Sequence, residues 1–328
     1  MMKVFSIDFQ LNKVTGVEKV MLDIHSAVQC EYHAKIVGNI PYHQVHESHC
    51  IKESEYVRFT NPFLFYKSIV IVHERRLLLL LWLLNNLLFQ RIKIVYVHHS
   101  IFYSHKHTTL LPKTIVAIAD KGIENLTEYF GVPIENIHKI HNCVKDQYDG
   151  PHKLKGKDRI SLILPGRINS YKQQFEIVRH LKGKLDERIV IKFAGDGDRL
   201  EELRDVCKGD NNFEVLGYRN DVIKLLGETD FMFLFSTQEG LSITLIEATM
   251  KGVPIVCNNV GGNSEICKNG QNGWLINDWD ELISVLNSLP GLSDSKYLDM
   301  CRKSRDIYNK YFTFDIFQRK YLDLLNNL

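Results

Sequence analysis

From Arg159 onward the sequence alternates short apolar runs with amphipathic stretches, and this alternation constrains the fold more than any other feature. The order is strand (ISLILPG), helix (about Gln173 to Leu185), strand (RIVIKFAG), helix (about Leu200 to Lys208), a short apolar piece (FEVLG), helix, strand (FMFLF), helix and strand (VPIVCNN). Strands that are apolar on both faces need cover on both sides, so the pattern predicts an α/β domain with a parallel sheet wound front and back by helices. Ligands of such sheets bind outside the carboxyl ends of the strands. Each strand here ends in residues suited to that place: Gly166-Arg167, Gly195-Asp196-Gly197, Gly217-Tyr218, Ser236 to Glu239, and the Gly261-Gly262 turn.

The run FSTQEGLSITLIEATMKGVPIV carries a strand-to-helix corner with two glutamates, Glu239 and Glu247. Phe231 to Phe235 has strand length, and from Leu241 the apolar positions follow a helical period up to a Gly252-Val253-Pro254 stop. Glu239 then lies at the mouth of the corner, ahead of the backbone N–H groups of Gly240, Leu241 and Ser242, which favour an anion. Counted as helical, Glu239 and Glu247 are about 80° apart around the axis and can face one ligand. An acidic residue in a first helical turn also has an ordinary explanation in the helix dipole.

The pieces PGRINSYK, FAGDGD, EVLGY, EGLSITLIEA, GVPIVCNNVGGNSEIC and NGQNGWL occur in this order between about Ile160 and Leu275. In that order and spacing the C-terminal half resembles the donor-binding domain of the retaining glycosyltransferases of family 4. The resemblance implies the GT-B fold, two facing Rossmann-like domains with a C-terminal helix crossing back to the first. It implies a retaining transfer of a sugar from a nucleotide-sugar donor to a glycan or lipid-linked acceptor, in polysaccharide or glycolipid biosynthesis.

The chemistry of these residues agrees with that implication. A sugar nucleotide releases a diphosphate, so its site must stabilise charge developing on the leaving oxygen. Arg167 offers a planar fork and Lys172 a point charge for phosphate oxygens, and the amides at Gly240, Leu241 and Ser242 add the dipole of a helix start. A carboxylate presents two acceptor oxygens, which suits Glu247 to a ribose diol. The resemblance implies that Glu239 hydrogen-bonds the donor sugar and that Gly217 and Tyr218 lie near the nucleobase. Gly195 and Gly197 are expected on the same side, where a missing side chain lets the backbone approach the ligand.

Asp196-Gly197-Asp198 and Asp278-Trp279-Asp280 each spell Asp-x-Asp, a cation-binding pattern in other glycosyltransferases. The first follows a strand inside a glycine turn and the second reads as a helix N-terminus. No His/Asp/Glu cluster has ligand spacing, so neither metal nor other cofactor is expected.

The N-terminal half is less tightly specified. KVFSID opens as a strand, TGVEKVMLDIHSAV continues as a helix, and IVIVHE, KIVYVHH and TIVAIAD are later strands. Where the resembling family has a glycine pair before its first helix this chain has Thr15-Gly16, so the acceptor-side loop lacks one glycine. The strand KIVYVHHS stands where the family carries a histidine that contacts the donor sugar. His98 is the better match by strand alternation and His99 the alternative. Histidines are plentiful here, twelve of the fourteen preceding Gly150; His43, His46, His49, His105 and His107 fall in loops without a ligand pattern.

The 328 residues, 45% hydrophobic, suffice for two cores. The expected division is 1–150 for the acceptor-side domain, with a C-terminal helix at about 312–328, and 151–311 for the donor domain. The polar stretch VKDQYDGPHKLKGK marks the boundary. A net charge of +2 gives no nucleic-acid footprint. Seven scattered cysteines without a C-x-x-C pair fit reduced thiols. With no cleavable signal before the first strand, the reading is a cytoplasmic enzyme, with the inner face of the membrane left open. In HERRLLLLLWLLNNLLFQRIK, the run Leu77 to Leu84 is too short to span a bilayer, which takes roughly 20 residues. It reads either as a buried helix between two strands or as a helix at a membrane surface, with Arg75, Arg76, Arg91 and Lys93 meeting anionic headgroups.

The sequence thus reads as a glycosyltransferase with His98 and Glu239 as the catalytic pair. Two alternatives stay open: a GT-B epimerase or phosphorylase, and an inactive sugar-nucleotide-binding subunit of a polysaccharide assembly.

Overall fold

The computed structural model describes residues 2–151 and 158–328. The chain divides into two compact units, Met1–Cys143 with Phe314–Leu328, and Val144–Thr313. Of the boundary stretch read from the sequence, 152–157 lies outside the described residues.

The first unit is ordered β1 (Lys3–Ile7), α1 (Gly16–Val28), β2 (His33–Gly38), β3 (Tyr56–Arg58), β4 (Ile69–Val72), α2 (Leu77–Leu87), β5 (Lys93–His98), β6 (Thr114–Ala117), α3 (Asp120–Glu124) and β7 (Ile137–Lys139). The second contains β8 (Ile160–Pro165), α4 (Gln174–Leu181), β9 (Ile189–Ala194), α5 (Leu200–Cys207), β10 (Phe213–Gly217), α6 (Val222–Glu228), β11 (Phe231–Leu234), α7 (Ile243–Lys251), β12 (Ile255–Asn258), α8 (Asn263–Ile266), β13 (Gly273–Ile276), α9 (Trp279–Ser288) and α10 (Asp294–Tyr311). The last helix, α11 (Phe314–Asn326), returns to the first unit. There the amide of Gln318 donates to the carbonyl of Ala27 at the end of α1 (3.0 Å), and Tyr321 is fully buried.

Both sheets are parallel throughout. Their strand orders are β3-β2-β1-β4-β5-β6-β7 and β10-β9-β8-β11-β12-β13. In each, the chain starts in the middle, winds outward and then reverses, so each has one switch point, between β1 and β4 or between β8 and β11. Crevices at such points are where doubly wound sheets take their ligands. The strands supply the cores because both faces are covered: every residue of β4, β11 and β12 is buried.

Several elements differ from their sequence-based bounds. The helix expected from Gln173 begins at Gln174, because Gln173 takes a left-handed conformation (φ +54°). The terminal helix starts at Phe314, two residues later than expected. The helix α2 is neither fully buried nor confined to Leu77–Leu84: Leu77, Leu78, Leu81 and Leu84 pack inward, whereas Leu79, Trp82, Leu83 and Leu87 are exposed.

Candidate functional site

At the switch point of the second sheet, β8 ends in Gly166-Arg167 and β11 runs into Ser236 to Glu239. Lys172 and Glu239 meet there, Nζ to Oε1, at 2.8 Å. Lys172 is placed by its own loop: its amide donates to Asn169 Oδ1 (2.9 Å), and Gln174 closes the turn by donating to the carbonyl of Arg167 (3.1 Å). The positive φ of Gly166 (+147°) leaves the Lys172 stem passing 3.3 Å from where a Cβ would stand. Arg167 is exposed, and its guanidinium has no acidic partner among the described residues.

Glu239 is fixed by a chain of polar contacts. Its Oε1 also accepts from the hydroxyl of the fully buried Ser236 (2.6 Å). Ser236 is clamped through its backbone by Asn258, whose Oδ1 accepts from Ser236 N (3.0 Å) and whose Nδ2 donates to Ser236 O (2.7 Å). Behind the corner, Gly262 N donates to Gly240 O (2.7 Å), and a Cβ on Gly261 would lie 2.1 Å from the carbonyl oxygen of Glu239. The glycine pair therefore allows the next strand end to press against this corner.

Glu239 is not helical. The helix α7 starts at Ile243 with Ser242 as N-cap, so the angular relation counted along one helix does not hold. Gly240, Leu241 and Ser242 form the entry to a helix that has no side-chain cap among the described residues, Ser242 Oγ being hydrogen-bonded to Thr244 Oγ1 (3.0 Å). Glu247 lies within α7, its side chain buried.

Gly195 and Gly197 bring the β9 end against the β8 end. A Cβ on Gly195 would lie 1.9 Å from Gly166 O, and one on Gly197 2.5 Å from Ile168 O. Asp196 Oδ1 accepts from Gly197 N (2.8 Å), and Asp278 caps α9 by accepting from Glu281 N (2.8 Å), so each Asp-x-Asp tripeptide has a local partner. Among the described residues, no group of three or more His, Cys, Asp or Glu could hold a metal ion. Gly217 takes a positive φ (+72°), and Tyr218 beside it is 73% exposed.

The predicted residues of the first unit are arranged differently. Thr15 caps α1 in a capping box: its amide and hydroxyl both go to Glu18, and its Oγ1 accepts from Val17 N (3.2 Å). A threonine where a glycine pair was expected thus stiffens the helix entry at Gly16. His98 is 2% exposed. Its Nε2 donates to Asn125 Oδ1 (3.1 Å), an oxygen that also accepts from Phe102 N, while Asn125 Nδ2 donates to Phe102 O. Because that oxygen is an acceptor in both contacts, Nε2 carries the proton. Burial pushes the His98 imidazole down to about 4, so it is neutral near pH 7. His99 turns instead to His73, Nε2 to Nδ1 at 3.0 Å, at the carboxyl ends of β5 and β4.

Sequence reasoning missed the polar group at the switch point of this sheet. Asp8, at the end of β1, is fully buried, and only Oδ1 accepts a hydrogen bond, from Gln10 N (2.7 Å). Burial, with Glu74 and Glu18 nearby, raises its carboxyl to about 7. Glu74 accepts from Phe9 N (2.6 Å) and pairs with Arg76. The only signal was Asp8 and His73-Glu74 following strand-like apolar runs.

Two parallel doubly wound units, with the last helix returned to the first, define a GT-B fold. Residues 144–304, just under half of the chain, match the family model described as Glycosyl transferases group 1. The Escherichia coli UDP-Gal:alpha-D-GlcNAc-diphosphoundecaprenol alpha-1,3-galactosyltransferase is 28% identical over 166 residues, 48% of this chain and 43% of that enzyme. The Bacillus anthracis N-acetyl-alpha-D-glucosaminyl L-malate synthase is 25% identical over 233 residues, 65% of this chain and 60% of that enzyme. The chain thus spans about half the length of the curated relatives it matches. Among solved structures, Anabaena HepE in complex with UDP superposes with a TM-score of 0.84 over 100% of both chains at 17% identity. A Rickettsia africae glycosyltransferase gives 0.82 over 99% of this chain and 98% of its own, also at 17%. At these identities the likeness concerns the fold.

Proposed function

We propose that the protein is a retaining glycosyltransferase that moves a sugar from a nucleoside-diphosphate donor to a glycan or lipid-linked acceptor, in polysaccharide or glycolipid assembly. The observation that carries this reading is the Lys172–Glu239 pair at the switch point, with Arg167 exposed beside it. A donor's diphosphate needs cations and its sugar needs a hydrogen-bond acceptor, side by side. Here they are 2.8 Å apart. Glu247 takes the ribose, and Gly195, Gly197, Gly217 and Tyr218 flank the nucleobase. A uridine nucleotide is the first candidate, since HepE was solved with UDP-glucose and the E. coli relative is named for UDP-Gal.

In the proposed reaction the bond from C1 to the diphosphate oxygen breaks and the acceptor oxygen bonds to C1 from the same face. The acceptor proton passes to the leaving phosphate oxygen. Glu239 serves as an acceptor for donor-sugar hydroxyls, since Lys172 and Ser236 already engage its Oε1. Arg167 and Lys172 stabilise the diphosphate as charge develops, which leaves no step that requires a metal. His98 positions the loop after β5 through Asn125, and in this reading His99, half-buried after the same strand, takes the ligand-contacting role. The test is a panel of sugar nucleotides, each with candidate acceptors and with EDTA, read by released nucleoside diphosphate. Turnover with a UDP-sugar that survives EDTA is expected; no release with any donor, or an absolute need for a divalent cation, would overturn the reading or its metal-free form.

A further inference from the structure

The helix α2 carries two apolar stripes, and only one of them is covered. Leu77, Leu78, Leu81 and Leu84 pack into the core of the first unit. On the other side Leu79, Trp82, Leu83 and Leu87 recur at helical spacing and face solvent, and the chain continues into Leu88 and Phe89, the latter 80% exposed. A second segment joins this face. Lys67 N donates to Gln90 O (2.8 Å) and the Gln90 amide donates to Pro62 O, which ties the segment carrying the exposed Phe63 and Tyr66 to the one carrying Phe89. Lys67, Phe89 and Arg91 account for three of the six non-glycine residues with left-handed φ among the described residues. Such conformations concentrate where surrounding structure or function maintains them.

The exposed charges on the segments that form this face have one sign. Lys67 lies against the Tyr66 ring (5.2 Å), and Arg91 and Lys93 are exposed. From Asn61 to Lys93 the single acidic residue is Glu74, which is buried. A second copy of the chain would bring these cations together with no acidic partner. An anionic bilayer surface fits both features, accepting large apolar side chains at the acyl boundary and cations at its headgroups. No helix among the described residues is long and apolar enough to cross a membrane, so α2 would lie in the interface plane.

We propose that the outward face of α2, with Phe63, Tyr66 and Phe89 at its end, docks the protein on anionic lipid bilayers. The inference rests on this surface and is read without turnover, so it stands or falls independently of the transferase reading. The full chain is floated with phosphatidylcholine vesicles with and without phosphatidylglycerol, and Trp82 is followed by quenching from brominated lipid. Trp82→Phe identifies its share of the signal, since Trp274 and Trp279 belong to the other unit. Flotation is expected with phosphatidylglycerol, with Trp82 quenched. The Leu87→Ser/Phe89→Ser pair should weaken partitioning about tenfold or more while circular dichroism is unchanged, and Lys67→Gln/Arg91→Gln should lower only the anionic component. Absence of flotation with both vesicles, or equal flotation of the Leu87→Ser/Phe89→Ser variant, overturns the proposal. A concentration-dependent dimer abolished by that variant, with no lipid binding, would instead make this face a contact between chains.

Discussion

The two switch points have the same topology and opposite chemistry. At the ends of β8 and β11, glycines let the neighbouring ends of β9 and β12 press close, and the corner carries a partly exposed lysine–glutamate pair, with the exposed Arg167 on the same strand end. Between β1 and β4 the corresponding place holds a fully buried Asp8, a nearby buried Glu74 and a histidine pair. In the proposed reading, the first arrangement exchanges its internal ion pair for a ligand's charges. In the second, burial shifts Asp8 and the two histidines, so their protonation is tied to folding. One doubly wound fold thus supports an ion-paired crevice in one unit and a cluster of desolvated titratable groups in the other.

The contrast in glycine use gives the largest expected effect. Gly195→Ala would put a methyl 1.9 Å from Gly166 O, a backbone atom that cannot move without separating β8 from β9. A loss of about 3 kcal/mol or more is expected in denaturant unfolding. Gly131→Ala in the first unit meets nothing within 4 Å and is opposed only by its φ of +75°, so about 1–2 kcal/mol is expected. Similar costs for the two would mean that the close approach at β8 does not organise the crevice.

Acid should separate the units next. Burial lowers His25 and His98 to about 4, His99 to about 3, and His73 well below its ordinary value. Their stabilisation is present above about pH 6.5 and is lost as pH falls through those lowered values, because the unfolded chain takes up protons that the folded one refuses. Asp8 runs the other way: raised to about 7, it stabilises fully below about pH 4 and loses that contribution as pH rises through 7. Four histidines against one carboxyl leave a net loss on acidification, on the order of a few kcal/mol. The described histidine of the second unit, His180, is half-buried against Trp279. Hydrogen exchange between pH 7 and 4.5 should therefore show the first unit opening before the second; simultaneous opening would remove the distinction.

The same contrast marks what the sequence could reveal. The second unit was legible because its information is local: glycines, a strand and a helix start within a dozen residues specify the Glu239 corner. What escaped was long-range. Asn258 lies 22 residues from the Ser236 that it clamps, and Glu74 lies 65 from the Phe9 amide that it accepts. One sequence contains no pairing signal at that separation. Alternation along β5 favoured His98 as the ligand-facing histidine, yet the same alternation directs it onto Tyr96, Phe102 and Phe130. A strand's period separates two faces without saying which one carries the ligand.

Replacing the two histidines separately sharpens that point. His98→Ala removes the hydrogen bond to Asn125 and leaves a cavity among aromatic rings, so about 2–3 kcal/mol of stability should go. His99→Ala leaves that network intact but removes the partner of the buried His73 Nδ1, so it should lower transfer at a smaller stability cost of about 1 kcal/mol. The reverse pattern, a stable but inactive His98→Ala, would return the ligand-facing role to His98.

The smallest effects lie within the second unit, where Glu239 and Glu247 divide the proposed donor between them. Glu247→Gln should weaken both the intact sugar nucleotide and the bare nucleoside diphosphate, because both contain the ribose. Glu239→Gln should slow transfer and leave the bare diphosphate bound at least as well as before. The reason is the ion pair: Glu239 holds Lys172 at 2.8 Å without donor, and the neutral amide releases that ammonium to the phosphates. Loss of one charge-assisted hydrogen bond, about 1.5–3 kcal/mol, corresponds to roughly a tenfold to hundredfold change, which calorimetry and initial rates resolve. The amide differs little in volume and can still accept from Ser236 Oγ, so the corner should stay folded. If Glu239→Gln weakens the bare diphosphate as much as Glu247→Gln does, then Lys172 needs its carboxylate partner to meet phosphate. The pair would then act as one phosphate-binding unit, and the sugar would have to find its acceptor elsewhere.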